Sequence, residues 1–476
     1  MAQDAQTILN EVPKQSAGTS MKDLQFDPST GEFRQVPRGT DPGPTGNVVT
    51  EMTDQGFAAE LPLVYLDKQE LVDFFESGAT RLNGVAYEWE GEQVVHLHTH
   101  PTRHAHGKVS MAAFLRSGVA PHSTPTDATY SVTVDMPNAD TLTIEVNDAQ
   151  GNIIDNVNFI PSRDELYSRA KGILERDILA PTTVTIVGLG SFGSQIAIEL
   201  AKAGVGRFKL MDFDRVELHN LARHTCTAAE LGRLKTDAIA DAIWGKNPYA
   251  VVERYPIDVN EHLETLEQAV RDSQVVIVAT DNNTSRFNIQ QALIRQGRVG
   301  IFGRAITRAE GGDVFRYQPG GPCYCCLVGN QSFGALEEIT SVASARRSGA
   351  IPAYASAQEA DAMVQVGLSS DIEPMCNLMV KLALVELARG SNSGIASLEQ
   401  ELVYDYYMWA NRRERRYANW HAMPGAGAQP TILRWYGAHI EREQGCAVCG
   451  SSQQLDTGDD YIPLLPDNNY DNLTLE

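Results

Sequence analysis

From Val184 to Gln195 the chain reads VTIVGLGSFGSQ, a β-branched run leading into Gly188, Gly190 and Gly193. At this spacing the first glycine permits a tight turn, the second lets backbone approach a phosphate, and the third lets a helix pack on a strand. That fingerprint alone indicates a nucleotide and favours a dinucleotide. The residues after it change the chemistry. LMDFDRVELHNLARH places Asp212 at the end of a second apolar strand, in position for ribose hydroxyls, and adds Asp214, Asn220 and Arg223. Lys235 follows in GRLKTDAIADAI, then Asp281 and Arg286 in VVIVATDNNTSRF. A dinucleotide has little use for arginine, lysine and a further aspartate converging on its phosphates. A triphosphate with Mg²⁺ needs that set: cations to offset developing charge and a carboxylate to hold the metal. Each charge taken singly is an ordinary solvated side chain; their joint order is what points to a site.

The series closes with GGDVFRYQPGGPCYCCL. In order and in its PCYxCL signature it resembles the ThiF/MoeB/ubiquitin-activating enzyme superfamily, over roughly residues 160–450. The resemblance implies an α/β chain whose main part is a Rossmann-like, doubly wound adenylation domain, preceded by a smaller α+β domain. It implies ATP-dependent adenylation of the C-terminal carboxylate of a ubiquitin-like or sulfur-carrier protein. Carried over residue by residue, Gly188, Gly190 and Gly193 form the nucleotide turn and Asp212 meets the ribose. Asn220, Arg223 and Lys235 contact phosphates, Asp281 holds Mg²⁺, and Asp214 shapes the same pocket. A carboxylate is already ionised near neutral pH, so no general base is needed. Catalysis is then positioning plus charge stabilisation by Arg223, Lys235 and the metal at Asp281.

The family also implies a homodimer in which an arginine reaches the partner's ATP. Tyr167-Ser168-Arg169 is similar to the RYxRQ segment that carries it, which nominates Arg169, with Arg163 second. Leu166 and Ala170 depart from that pattern, and an ordinary solvent-facing arginine is the alternative.

Seven cysteines, an odd number, do not suggest a disulfide framework. Four form CxxC pairs, Cys323/Cys326 and Cys446/Cys449, too far apart in sequence to identify a metal by spacing alone. In relatives such pairs clamp Zn²⁺, which implies a closed, structural, tetrahedral site; reduced, unligated thiols are the alternative. A thioester on the enzyme needs another thiol. The crossover segment after PCYCCL holds none, and the next cysteine is Cys376 in DIEPMCNLMVKLALVELARG. Pro374 suits an early helical position, which would set Cys376 near a helix N-terminus, where the dipole favours thiolate. A buried core cysteine is the competing reading. Cys226 and Cys325 are the other thiols to weigh.

The chain has 476 residues and a formal charge of −22. Such acidity disfavours nucleic acid and anionic membranes as partners. No apolar run reaches membrane-helix length and the first residues lack a signal-peptide pattern, so a soluble, cytoplasmic protein is expected. Four segments are expected: a flexible extension over 1–55 with at most a short strand, an α+β domain over 56–161, the adenylation domain with a zinc knuckle over 162–450, and a tail over 451–476. In the second segment LPLVYL, YSVTVDM, TLTIEV and IIDNVNFIP read as strands, and LVDFFESGATRL and SMAAFLRSG as helices. RDELYSRAKGILERDIL reads as a helical link. Beyond it VTIVG, FKLMD, AVVERYPI, VVIVAT and VGIFGRA alternate with helical stretches, the pattern of a parallel sheet wound on both faces.

His98-Thr99-His100-Pro101 with Ser110 resembles the metal centre of JAB/MPN metalloproteases. The position that would supply the aspartate ligand is Ala113, so the resemblance implies a degenerate domain kept for scaffolding or carrier recognition. His96, His104 and His106 add adventitious metal binding to the possibilities. The joint presence of the two modules implies an activating enzyme of a bacterial ubiquitin-like conjugation system, with a conjugating enzyme downstream. The alternatives are adenylation alone, in sulfur-carrier or small-molecule chemistry, and a non-catalytic scaffold.

Overall fold

The computed structural model describes residues 22–27, 32–37, 62–89, 93–99, 108–119, 128–138, 141–160, 166–174, 176–306, 309–329, 367–413, 417–421 and 431–450. The chain divides into two compact units, Met1–Leu63 and Val64–Glu476. In the first, β1 (Lys22–Asp27) and β2 (Glu32–Pro37) pair antiparallel from Lys22↔Pro37 to Asp27↔Glu32. Where the sequence predicts at most one short strand there are two. The alternating runs KDLQFD and EFRQVP flank Pro-Ser-Thr-Gly, whose Pro and Gly are turn formers.

Among the described residues the second unit contains two sheets. The first is built from β3 (Leu63–Asp67), α1 (Lys68–Glu76), β4 (Arg81–Trp89), β5 (Val94–His98), β6 (Lys108–Arg116), β7 (Tyr130–Asn138), β8 (Thr141–Asp148) and β9 (Val157–Ile160). Its seven strands run in the order β8-β7-β6-β4-β5-β3-β9. Asp67 caps α1 by accepting the Gln69 N–H at 2.9 Å.

The segment SMAAFLRSG corrects the sequence expectation: it forms β6, not a helix. Ala112, Ala113, Phe114 and Leu115 are all buried, the mark of a central strand covered on both faces, and periodicity cannot separate such a run from a buried helix. The change bears on the metalloprotease resemblance. A helix brings residues three apart to one face, whereas a strand puts them on opposite faces. Ser110 and Ala113 therefore diverge, and Ala113 is buried. His98 closes β5 and is buried near the Tyr87 ring, while His100, His104 and His106 lie outside the described residues.

The helical link is also corrected. Among the described residues of the link, Leu166 is helical, Ser168–Ala170 form a 3₁₀ turn and Arg176–Leu179 form the short α2, with no continuous helix from Leu166 to Leu174. Gly172 between them has φ +87°, a left-handed conformation that ends the first turn.

The second sheet comprises β10 (Thr183–Val187), α3 (Ser191–Ala203), β11 (Arg207–Met211), α4 (Lys235–Trp244), β12 (Val251–Tyr255), α5 (Leu263–Arg271), β13 (Val275–Val278), α6 (Asn283–Gln296), β14 (Val299–Ala305), β15 (Gly311–Tyr317), α7 (Tyr324–Val328), α8 (Ser369–Leu387), β16 (Tyr406–Ala410) and β17 (Arg434–Ala438). The strand order is β12-β11-β10-β13-β14-β15-β16-β17. The first five are parallel and the last three join antiparallel. All five strands expected from apolar runs are present, and the sheet is Rossmann-like and covered on both sides. One apolar layer holds Ile186, Ile196, Leu200 and Met379; the other holds Met211, Leu266, Phe287 and Phe302. The chain leaves β10 towards β11 and later returns on its other flank as β13, so a crevice must open between their C-terminal ends.

Among the described residues no helix is long and apolar enough to cross a membrane. A buried ion pair ties β15 to α8: Arg316 Nη1 lies 3.2 Å from Glu386 Oε1, with both side chains under 5% exposed. Glu386→Ala would strand that guanidinium, so we expect a loss of roughly 3–5 kcal/mol in urea unfolding.

Candidate active site

The three glycines after β10 do different physical work. Gly188 adopts φ +86°, and a Cβ there would lie 2.7 Å from the Ala279 carbonyl oxygen. At Gly193 a Cβ would stand 1.8 Å from the Gly188 oxygen, so only glycine lets α3 pack on the turn. Gly190 meets nothing within 4 Å. It caps α3, leaving backbone N–H groups at an open helix terminus, a favourable place for a phosphate.

That terminus faces a cavity of about 430 Å³ at the C-terminal ends of β10, β11, β12, β13 and β14. Of the residues singled out in the sequence, Gly188, Gly190, Asp212, Asp214, Asn220, Arg223, Lys235, Asp281 and Arg286 line it, and Gly193 lies behind. Asp212 is held on both oxygens: Leu189 N–H donates to Oδ2 at 2.7 Å and Asp214 N–H to Oδ1 at 2.8 Å. Burial raises its carboxyl above the usual range, against the pull of Lys235. Lys235 is itself buried and donates from Nζ to Asp214 Oδ2 at 3.0 Å. Burial acts to lower its ammonium, but Asp212, Asp214 and Asp281 outweigh that and hold it above its ordinary value. Burial lowers the Arg223 guanidinium. Asn220 accepts the Glu217 N–H at 2.9 Å, which fixes the 3₁₀ turn that delivers it.

Arg286 acts as a brace. Its Nη2 donates to the Thr280 carbonyl at 2.6 Å and so shapes the loop that carries Asp281. A second brace escaped the sequence reading. His224 Nε2 lies 2.6 Å from the Leu189 oxygen, and its Nδ1 accepts the Cys226 N–H at 3.1 Å. The ring joins the glycine turn to the Arg223 loop, and burial lowers its pKa to about 4. Also missed were Phe213, Asp258, Asn260 and Arg304, all on the cavity wall. Asp258 and Asn260 follow the C-terminal end of β12, so the rule that ligands gather at such ends could have found them.

The cysteines separate into two groups. The expected place of Cys376 near a helix N-terminus is corrected: it is the eighth residue of α8, which starts at Ser369, with Pro374 inside rather than at the start. The dipole effect fades after the first turn. The thiol packs in the core, 3.9 Å from the Phe192 oxygen, and burial raises its pKa. Cys226 is likewise buried, its thiol pushed up to about 12 by burial, and Cys325 is buried beside the knuckle. Cys323, Cys326, Cys446 and Cys449 converge, with their sulfurs all within 4.8 Å of one another. Neighbouring Sγ–Sγ separations are 3.7, 3.5 and 3.4 Å. Thiolates around one tetrahedral ion would be about 3.8 Å apart, so the four fit such a metal.

The cluster connects to the cavity through Tyr324. Its ring stacks on Phe302 at 5.1 Å and its hydroxyl donates to Asn283 Oδ1 at 3.1 Å, in the first turn of α6. Arg169 is exposed and does not line the cavity of its own chain; Arg163 lies outside the described residues.

A parallel sheet with a glycine turn at its switch point and cations opposed by carboxylates defines a nucleotide-handling α/β protein. The match to the ThiF family model over residues 167–419 places the chain in that family. Among curated relatives, Escherichia coli molybdopterin-synthase adenylyltransferase is 36% identical over 156 residues, 32% of this chain and 61% of that protein. The mouse adenylyltransferase and sulfurtransferase MOCS3 is 34% identical over 199 residues, 40% of this chain and 42% of that protein. The sulfur carrier protein adenylyltransferase of Thermus thermophilus is 32% identical over 155 residues, 31% of this chain and 56% of that protein. The chain thus spans about three fifths or less of the length of these relatives. Crystalline E. coli MccB with ATP gives a TM-score of 0.41 at 17% identity, over 58% of this chain and 68% of that one, too slight a likeness to carry an argument.

His224 makes the fold acid-sensitive. Its folded pKa lies below the unfolded value, so the unfolded state takes up the proton first and stability falls as pH drops from about 6.5 to about 4. The loss is on the order of 3 kcal/mol. His224→Gln should flatten this slope in urea midpoints measured from pH 7 to 4.

Proposed function

We propose that the chain adenylates the C-terminal carboxylate of a small carrier protein or peptide, using ATP. The observation that carries this reading is the buried Lys235 ammonium, held among Asp212, Asp214 and Asp281 in the cavity that the glycine turn also lines. In this scheme Asp212 receives the ribose, and Asn220, Arg223 and Lys235 the phosphates. Five cations and five carboxylates line the cavity, so a tetra-anionic nucleotide brings surplus negative charge. Asp281 is suited to hold Mg²⁺, which would supply further charge neutralisation when bound. The carrier's carboxylate oxygen bonds to the α-phosphorus, the α–β bridge breaks, and its electron pair leaves with pyrophosphate. Arg223 and Lys235 stabilise the charge that develops.

The name of the Thermus relative, a sulfur carrier protein adenylyltransferase, supports a sulfur carrier as the acyl substrate, and that of the E. coli relative, which names molybdopterin synthase, supports a protein acceptor of the adenylyl group. A homodimer in which Arg169 reaches the partner's nucleotide belongs to the same proposal. Zn²⁺ is the metal proposed for the cysteine knuckle, where it would brace Tyr324 and, through Asn283, the Asp281 loop. A degenerate first domain serving carrier recognition completes the scheme.

A second reading adds a thioester and a conjugating enzyme. Against it, none of the seven thiols is fully exposed, and four of them converge in the knuckle. Adenylation without an enzyme thioester is therefore favoured. Intact mass spectrometry with ATP and a carrier would find adenylated carrier and no adduct that dithiothreitol removes.

In ATP–pyrophosphate exchange, Lys235→Ala should lose about 10²–10³-fold in rate while keeping its fold. Unchanged exchange would sink the assignment. Cys446→Ser should lower bound zinc by elemental analysis and lower the melting temperature together; a zinc-free wild type with full stability would remove the metal from the scheme.

A further inference from the structure

Arg304 stands on the cavity wall without a part in the nucleotide scheme. It is the penultimate residue of β14, and its cross-strand partner on β15 is Asp313. Arg304 Nη2 lies 2.6 Å from Asp313 Oδ2, and Nε lies 3.2 Å from both carboxylate oxygens. Asp313 is 5% exposed and takes a further hydrogen bond from the Tyr406 hydroxyl at 3.4 Å. Burial alone would lower this guanidinium, but Asp313 holds it above its ordinary value, so it stays charged.

Such an anchorage uses only one edge of the side chain. A guanidinium has five N–H donors in a planar fork. Both donors of Nη1 and one of Nη2 have no partner among the described residues, and the side chain is 34% exposed, with the cavity in front of it. The carboxylate that holds one edge leaves a fixed, charged and partly exposed edge on the cavity wall. Its place in the sheet says which ligand. The order β11-β10-β13-β14 puts Arg304 three strands from the ribose-holding end of β11, about 14 Å across the sheet. The glycine turn after β10 lies between them. A nucleotide whose ribose sits at Asp212 and whose phosphates sit at that turn leaves the β14 side for the other reactant.

We propose that Arg304, pinned by Asp313, is the positioning residue for the acyl substrate: it receives the terminal carboxylate and holds it beside the α-phosphate. This rests on the adenylation reading and names the group that orients its second substrate. One carboxylate oxygen accepts from the free Arg304 edge while the other forms the bond to phosphorus. The α–β bridging bond breaks and its electron pair departs with pyrophosphate, so no proton, oxidant or further reactant enters. An arginine suits this task better than a lysine because a fixed planar fork orients a carboxylate as well as attracting it.

The test uses a dye-labelled bacterial sulfur carrier protein in two forms, with its free C-terminal carboxylate and with a C-terminal amide. Fluorescence anisotropy with the full chain and a non-hydrolysable ATP analogue reads the affinity for each. The wild type should prefer the acid by about tenfold, as expected for loss of a charge-assisted contact. Arg304→Gln, which keeps much of the side-chain volume, should abolish the preference, and Arg304→Lys should retain part of it. In exchange assays Arg304→Gln should raise KM for the carrier about tenfold and leave KM for ATP within about twofold. Equal acid preference in wild type and Arg304→Gln overturns the proposal, as does a wild type with no preference. A rise in KM for ATP by the same factor also overturns it, because Arg304 would then serve the nucleotide. Exchange activity tests the adenylation reading separately: a wild type that discriminates acid from amide but exchanges nothing refutes that chemistry by itself.

Discussion

A parallel sheet buried on both faces admits polar side chains along its strands only where they are paired, as Thr185 is with Ser273 and Lys209 with Asp272, and leaves unpaired polar groups to the strand ends. In β10 and β13 every residue is buried, so neither strand has a solvated face along its length. Their backbones are satisfied by neighbouring strands, and chemistry is pushed to the loops that follow. Because β11 and β13 flank β10 on opposite sides, those loops diverge and leave a crevice. The glycine turn, Asp212 and Asp281 stand past the strand ends, where side chains can face a cavity instead of the packed layers.

Within the crevice the ordering principle is pairing of charge. Lys235 is buried, which is tolerable only because carboxylates surround it. Asp212 is likewise held by two backbone N–H groups before any ligand arrives. Arg286, His224 and Tyr324 brace the loops, Arg286 from the cavity wall and the other two from behind it: Arg286 holds the Thr280 carbonyl, His224 the Leu189 carbonyl, and Tyr324 the first turn of α6. The site is thus preorganised by a surrounding set of hydrogen bonds, and the cysteine knuckle is one end of that set. Since the knuckle reaches α6 through Tyr324, its loss should be felt at the Asp281 loop and not only in overall stability.

Three expectations gave way, two of them to tertiary contacts and one to a glycine conformation. SMAAFLRSG was open to either helix or strand because its central residues are apolar all round, and only pairing with β4 and β7 decided it. The link over 163–179 had helical pattern but contained Gly172, whose left-handed conformation cost the helix its continuity. Pro374 suggested a helix start; instead α8 begins at Ser369 and carries the proline inside, supported by packing against β14 and β15. In the first and third cases tertiary contacts overrode a local preference; in the link a local glycine conformation interrupted the helix.

What the sequence determined by itself was the alternation of apolar strands and helices, the glycine turn, and the identity of most charges on the cavity wall. These are legible because each depends on a residue type at a short spacing: a tight turn needs glycine, a strand buried on both faces needs an unbroken apolar run. Tertiary structure alone decided the rest. Cys376 became a core residue because α8 packs on α3 and the sheet, burying its thiol. Two CxxC pairs more than a hundred residues apart became one cluster because β15 and the segment after β17 end at the same place. Arg304 acquired a fixed charge because the β14–β15 register set Asp313 opposite it. None of these follows from spacing, since each joins residues whose separation along the chain says nothing about their distance in the fold.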